Sequence, residues 1–223
     1  MKRFLIPTVL APLVLALGAV LLTFLFHIPL ASMDEYVSAL KYKMRGEQRA
    51  DTNIVIVYVD NDAIKELGYP LRRNFYALMV QALAELKTKA AGIDLVFENA
   101  SLEYPEYDQL LQHTMATAKN VVLASYFDSL GHEQAKKVND LVEELELLDK
   151  FHFPQVGNVN LHGAGLHLPQ SAFVQAASGV AHANVQGKSG LPLFVSYGRG
   201  VVPSFSFELL RHFCDAGRED VAF

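Results

Sequence analysis

Apolar residues run unbroken at the start of this chain, then fall into helical spacing, then into alternating strand and helix blocks. From Phe4 to Leu30 the only ionisable side chain is His27. As a helix this run would span about 40 Å, against about 30 Å of bilayer hydrocarbon. It exceeds the roughly 7–15 apolar residues of a signal-peptide core, and Pro29, Ala31 and Ser32 match a cleavage site poorly. The pattern therefore predicts one N-terminal transmembrane helix, an uncleaved anchor, with Pro7 and Pro12 tolerated in it.

Beyond the anchor, Met33, Tyr36, Val37, Leu40 and Met44 recur at i, i+3, i+4, i+7 and i+11, predicting an amphipathic juxtamembrane helix over 33–46. Asn53 to Val59 is short, apolar and β-branched, as a strand should be. A helix with Phe75, Leu78, Met79, Ala82, Leu83 and Leu86 on one face comes next, then a strand from Ala90 to Phe97. The pattern repeats: helix Leu102–Ala118, strand Asn120–Phe127, helix Glu133–Phe151. The Gly- and His-rich stretch Phe151–Leu168 reads as loop, and Pro169–Ala177 as a short helix. Val180–Gln186 and Leu191–Tyr197 read as a hairpin around Gly187–Gly190, before a last helix over Ser204–Phe213.

Strands alternating with helices at this spacing imply an α/β domain, with a mainly parallel sheet, flanking helices and a C-terminal hairpin. The expected division is 1–32, a cytoplasmic tip and anchor, and 33–223, the folded domain. With 223 residues, the chain has room for one medium α/β domain after the anchor. Its net charge of −5, with no dense Lys/Arg cluster, argues against nucleic acid as a partner. Cys214 is alone, which excludes an internal disulfide and a cysteine-based metal site. Lys2 and Arg3 precede the anchor while Lys41, Lys43 and Arg45 come after it, so charge alone leaves orientation open.

Strand ends supply the candidate chemistry. Asp60 and Asp62 close the first strand, and Asp94 lies in the second. On neighbouring parallel strands Asp60 and Asp94 would converge at the carboxyl edge, where open α/β sheets form their crevices. Such acids hold a cation, titrate as a pair, or meet Arg72 or Arg73. The competing reading makes Asp60, Asn61 or Asp62 a helix cap and Asp94 half of a buried ion pair, with Arg73 its expected partner.

Asp60-x-Asp62 also resembles the start of the haloacid dehalogenase-like phosphatase motif. The later strands lack the second acidic pair that such chemistry needs, so the resemblance stops at one motif. Gly187-Lys188-Ser189 imitates a P-loop terminus, but the required first glycine falls at His182 and a strand comes after it. His152, His162 and His167 match no zinc spacing and read as solvated loop residues, with a pH-sensing role open to them. Phe194, Tyr197, Phe205 and Phe207 read as core. No catalytic residue, metal or cofactor is implied.

Five blocks in order resemble one family. LKYKMRG (Leu40–Gly46) precedes NIVIVYVDND (Asn53–Asp62); LGYPLRR (Leu67–Arg73) is similar to a Gly-Trp-Pro-x-x-Arg segment; AAGIDLVF (Ala90–Phe97) leads to YPEYDQLL and NVVLASY; GVAHANV (Gly179–Val185) leads to LPLF and PSFSFELL. The chain resembles the CHASE type-2 domain, an extracytoplasmic sensory module of bacterial transmembrane receptors. Tyr69 replaces the family tryptophan, Ala39 stands where an Asp is usual, and Gln186–Gly190 replaces an acidic turn.

The resemblance implies a small-molecule ligand, with Asp60, Asp62, Arg73, Asp94, His182 and Asn184 as its candidate contacts. It further implies an inner-membrane location with the domain on the outer side, compatibility with a homodimer, and no catalysis by this chain. The chain is expected to be a fragment of a longer receptor with further spans and a cyclase or kinase output. A membrane-anchored metal-dependent phosphohydrolase using Asp60 and Asp62, or a structural assembly domain, are the alternatives.

Overall fold

A computed structural model describes residues 12–22, 30–131, 146–148, 151–154, 159–185, 190–198 and 200–221. Contacts divide the chain into two units, Met1–Ile56 and Val57–Phe223. In the first, residues 12–22 form helix α1 and Leu30–Arg45 form α2. The helical spacing of Met33, Tyr36, Val37, Leu40 and Met44 is realised in α2, whose last turn carries Lys43 and Arg45 near the negative end of the helix dipole. Gly46, at φ +70°, comes directly after this helix.

Most of the expected Phe4–Leu30 anchor lies outside the described residues. Among those described, no helix is long and apolar enough to cross a membrane.

The second unit contains α3 (Asn61–Leu67), α4 (Arg73–Glu85), β1 (Ala91–Ile93), α5 (Pro105–Ala118) and β2 (Val121–Gly131). Residues 146–148, described as helical, are labelled α6. After them come β3 (Phe153–Pro154), β4 (His162–His167), α7 (Ser171–Ala176), β5 (Gly179–His182), β6 (Phe194–Tyr197), β7 (Gly200–Pro203) and α8 (Phe205–Phe213). The strand order is β1-β2-β4-β6-β7-β3, with β5 also paired to β2. The Tyr69–Pro70 bond between α3 and α4 is cis.

The expected α/β class holds, but the sheet is mixed. β1 and β5 flank the first half of β2 in parallel, whereas the second half of β2 pairs antiparallel with β4. β6 and β7 are antiparallel, as are β7 and β3. One long strand thus belongs to two ladders, changing partner near Ser125–Tyr126. The C-terminal hairpin is β6–β7, and the expected first arm becomes β5 inside the parallel ladder. Its all-buried Gly179–His182 accords with the change, since parallel ladders are covered on both faces.

Two further expectations change. Residues 54–60 belong to no helix or strand, although Asn53–Val59 has strand composition. β-branched residues favour extended backbone, but a strand exists only where its amides find a partner. In the reverse case, the supposed loop contains β4, whose glycines are required by close approaches. A Cβ on Gly163 would stand 2.5 Å from the Phe127 ring, and Gly165, at φ +63°, lies against the Asp128 carboxylate. The expected helix Glu133–Phe151 falls mainly outside the described residues.

Two apolar clusters hold the unit together. Ala77 and Val80 of α4, Leu111 and Met115 of α5, and Phe173 and Val174 of α7 pack on Val121, Leu123 and Val180. Phe127, Leu148, Leu166, Val195, Tyr197 and Val202 form the second cluster. Fully burying each Val, Leu, Met or Phe side chain among them contributes about 1.5–3 kcal/mol. Phe153, Phe194 and Phe207 meet edge to face at 4.8–6.1 Å, in agreement with the core reading of Phe194 and Phe207.

Candidate functional site at the carboxyl ends of the parallel strands

In the parallel ladder, Ile93 stands beside Leu123, and Leu123 beside Val180. Two residues further, Ser125 of β2 lies opposite His182 of β5. The strand period of two puts Ser125 and His182 on the same face as Leu123 and Val180, at the carboxyl end. Both are fully buried. Ser125 Oγ and both His182 ring nitrogens have no hydrogen-bond partner among the described residues.

Burial without a counter-charge lowers the His182 pKa from 6.5 to about 4, so the ring is neutral near pH 7. A neutral imidazole offers one donor and one acceptor, and the Ser125 hydroxyl adds a further group of each kind. Buried polar atoms of this kind are otherwise almost always paired, by protein, water or a ligand. The Phe127 ring lies 6.1 Å from the His182 ring, and His182 bridges to Ser204, whose side chain caps α8 at Phe207 N.

Asn184, two residues beyond His182, spends its amide differently. Its Oδ1 accepts from Phe127 N and its Nδ2 donates to Phe127 O, both at 2.8 Å. Asn184 thereby fixes β2 where it changes partner. It positions the site, and its polar atoms are already engaged.

The acidic candidates separate. Asp60 is the N-cap of α3, accepting from Ala63 N at 2.8 Å, so the capping alternative describes it correctly. Asp62 is an exposed first-turn residue paired with Lys65 at 2.8 Å. Asp94 lies one residue past the end of β1, is exposed, and forms no ion pair with a described residue. The expected buried Arg73–Asp94 pair is therefore incorrect. β1 ends at Ile93, and its outer edge carries no partner strand among the described residues, so Asp94 is left uncovered there.

Arg73 instead pairs with Asp108, which the first turn of α5 places at 2.5 Å, with both side chains about 15 % exposed. It also donates to the Asn99 carbonyl and lies over the Phe97 and Phe173 rings. Asp108 accepts from Ser101 N at 2.8 Å and Gln170 Nε2 at 3.2 Å. Burial alone would raise its pKa, but the Ser101 N–H, Arg73 and Gln170 more than offset this and hold it below the usual value. Every strong group at this node has a partner, so it fastens α4 to α5 and α7. Arg72, beside it, stacks on Tyr104 at 4.6 Å.

A second polar cluster lies on β2 and β4. His167 Nδ1 is 2.9 Å from Glu98, and Nε2 is 2.8 Å from Asp128. The Tyr126 ring stacks on the imidazole at 4.3 Å and donates from its hydroxyl to Glu98. Burial is the largest single influence on the His167 pKa and lowers it, but Asp128 and Glu98 together outweigh it and raise the value. Its expected place in a solvated loop is corrected to β4; the signal was missing because its acidic partners are remote in sequence. The Glu208 carboxylate, 1 % exposed, is matched by Arg211 at 2.7 Å and His212 at 3.4 Å. Among the described residues no group of three His, Cys, Asp or Glu is arranged to hold a metal ion.

These features define a mixed α/β unit with an unsatisfied buried polar pair at the carboxyl end of its parallel ladder. The family model of the CHASE2 domain matches residues 11–222, and the chain belongs to that family. CHASE2 domains are extracellular sensory domains of signalling receptors and are not themselves catalytic. Searches of curated proteins and of solved structures return no match.

Proposed function

We propose that this chain is the ligand-sensing ectodomain of a membrane-bound receptor, and that Ser125 and His182 are the polar contacts of its ligand. The observation that carries the reading is their burial without a hydrogen-bond partner among the described residues, at the carboxyl end of the parallel β2–β5 ladder, where β2 goes on to pair with β4. Open α/β sheets take ligands at that end. The ligand is a small, polar molecule able both to donate to and accept from a neutral imidazole. Phe127 and Ser204 flank it, while Asn184 holds the β2 crossover in place.

Sensing requires the ligand to favour one of two arrangements of the domain through unequal affinity. The route out is the chain from Asp60 back through α2 to the apolar run Phe4–Leu30, which is the membrane anchor in this reading. The domain then lies on the outer side of a bacterial inner membrane. Further spans and a cyclase or kinase output belong to a longer protein. A phosphohydrolase reading is disfavoured, since Asp60 is engaged as a helix cap and Asp62 is an exposed partner of Lys65.

The test is a thermal-shift screen of polar metabolites on the full chain, repeated with His182→Phe. A ligand that raises the wild-type Tm and has no effect on a folded His182→Phe supports the site. A ligand that stabilises both equally places binding elsewhere. A reporter fused after Phe223, active only outside the cytoplasm, tests location separately. An inactive reporter would overturn the ectodomain assignment.

A further inference from the structure

Three polar side chains stand in register across neighbouring strands. Ser125 of β2 lies opposite His182 of β5, and His182 forms a parallel bridge with Ser204, the residue after β7. Residues opposite one another in a ladder share a face of the sheet, so Ser125, His182 and Ser204 make one polar row. All three are fully buried. Ser204 is also the N-cap of α8, a nine-residue helix. Its hydroxyl accepts from Phe207 N at 3.3 Å and lies 3.4 Å from the Ser206 hydroxyl. The row therefore ends at the positive pole of a helix, a position that favours an anion. Beside that pole sits an imidazole with neither ring nitrogen hydrogen-bonded.

This face of the sheet carries no charge of its own. Among the described residues burial is the one cause of the low His182 pKa, and no carboxylate or cation acts on the ring. From β2 it meets Ser125 and the Phe127 ring, with Tyr197 of β6 at 5.3 Å from that ring. From the start of α8 it meets Ser204, and Asn184, two residues beyond it, is bonded to Phe127. The buried acid Glu208 is held on the other face. Gly179, an odd number of residues from His182, lies against it, where a Cβ would be 2.8 Å from Glu208 Oε1. Arg211 and His212 neutralise that carboxylate.

An anion entering such a face needs a compensating charge, because a lone buried charge is costly. His182 is the one titratable base in the row and can balance one negative charge. One charge matches a carboxylate and falls short of a phosphate monoester, which carries about 1.5–2 near pH 7. We infer that the ligand of the Ser125–His182 site is recognised by a carboxyl group, seated at the N-terminus of α8 and bound together with one proton from solvent. The proton lies between one carboxyl oxygen and a His182 ring nitrogen, so the pair is net neutral, and the other carboxyl oxygen accepts from Ser125 Oγ. This inference rests on the sensory reading of the site and narrows its ligand to small carboxylic acids. Free His182 takes up a proton only near pH 4, while a bound carboxylate strengthens its hold on one. Affinity therefore falls as pH rises, by about tenfold per unit over roughly pH 5–7.

Titration calorimetry on the full chain tests it with matched probes: acetate and acetamide, lactate and lactamide, pyruvate and pyruvamide, and inorganic phosphate. Each is run at several pH values and in two buffers of different ionisation enthalpy, on wild type, Ser125→Ala, His182→Gln and His182→Phe. The expected result is an acid that binds about tenfold or more tighter than its amide near pH 5, takes up one proton and weakens with rising pH. His182→Gln, which keeps a donor and an acceptor but cannot titrate, abolishes the proton uptake. An amide that binds as well as its acid without proton uptake, yet is lost in His182→Phe, overturns the carboxyl assignment and leaves the sensory site standing. Phosphate bound in preference to every carboxylate does the same. Acid binding unchanged in both His182→Phe and Ser125→Ala puts the carboxyl group elsewhere and counts against the site as well. No binding by any probe also overturns the inference, and the thermal-shift screen then decides the site separately.

Discussion

Two apolar stretches of nearly the same chemistry have opposite fates in this protein. Val121, Val122, Leu123, Ala124 and Ser125 on β2 are almost wholly inaccessible, whereas Ile54, Val55, Ile56, Val57 and Tyr58 are 61–82 % exposed. Both are β-rich by composition. The first lies between two parallel neighbours, β1 and β5, and under α4, α5 and α7. The second has no ladder partner among the described residues. Composition sets what a segment prefers, and the neighbours it finds decide whether the preference becomes structure.

The largest effect should come from the ion pair that fastens the covered region. Arg73→Ala leaves the Asp108 carboxylate nearly buried beside two apolar rings, and should cost about 3–5 kcal/mol in urea unfolding. Asp94→Ala, at an exposed position, should stay within about 0.5 kcal/mol. If the two variants unfold alike, the assignment of Asp108 as partner is wrong.

Cavity formation is the next contrast. Leu123→Ala removes a fully buried side chain and should cost about 2–5 kcal/mol. Val55→Ala, measured at low protein concentration, should cost less than about 0.5 kcal/mol. A cost for Val55→Ala that grows with protein concentration would show that the exposed stretch is covered in an assembly.

Two histidines sharpen the comparison through pH. His182 has a folded pKa depressed from 6.5 to about 4, so the unfolded chain binds the additional proton between those values. Stability from this residue is complete above pH 6.5 and falls, by roughly 3 kcal/mol, as pH drops towards 4. His167 shifts the other way, held protonated by Asp128 and Glu98. Its contribution is complete below pH 6.5 and is lost as pH rises through its folded pKa. Denaturation midpoints of His182→Phe and His167→Gln across pH 4–8 separate the two slopes, and an unchanged acid limb in His182→Phe would refute its neutral burial.

The smallest effect expected is on stability in His182→Phe at pH 7. Replacing unpaired polar atoms by an apolar ring should be neutral or slightly stabilising without ligand. A loss above about 2 kcal/mol would show that the ring nitrogens have partners after all, such as a buried water.

Part of the site was readable in the sequence and part was not. His182 and Asn184 became candidates only through the resemblance of their block, Gly179–Val185, to the CHASE2 family. Ser125 did not, since a serine within Asn120–Phe127 gives no signal until β5 is placed opposite it. Asp108 was hidden similarly. Its helix was recognised, but only the packing of α4 on α5 brings it to Arg73.

The sequence by itself determined the α/β class, the helices α4, α5 and α8, and the apolar seam of α2. All of these arise from local period and capping, which act over a few residues. The tertiary structure alone decided that β2 changes partner midway, that a glycine-rich stretch becomes β4, and that Arg73 meets Asp108. It also decided that His182 is buried while His167 lies between two carboxylates. Such outcomes depend on which edges and faces meet across tens of residues, and no local pattern encodes that choice.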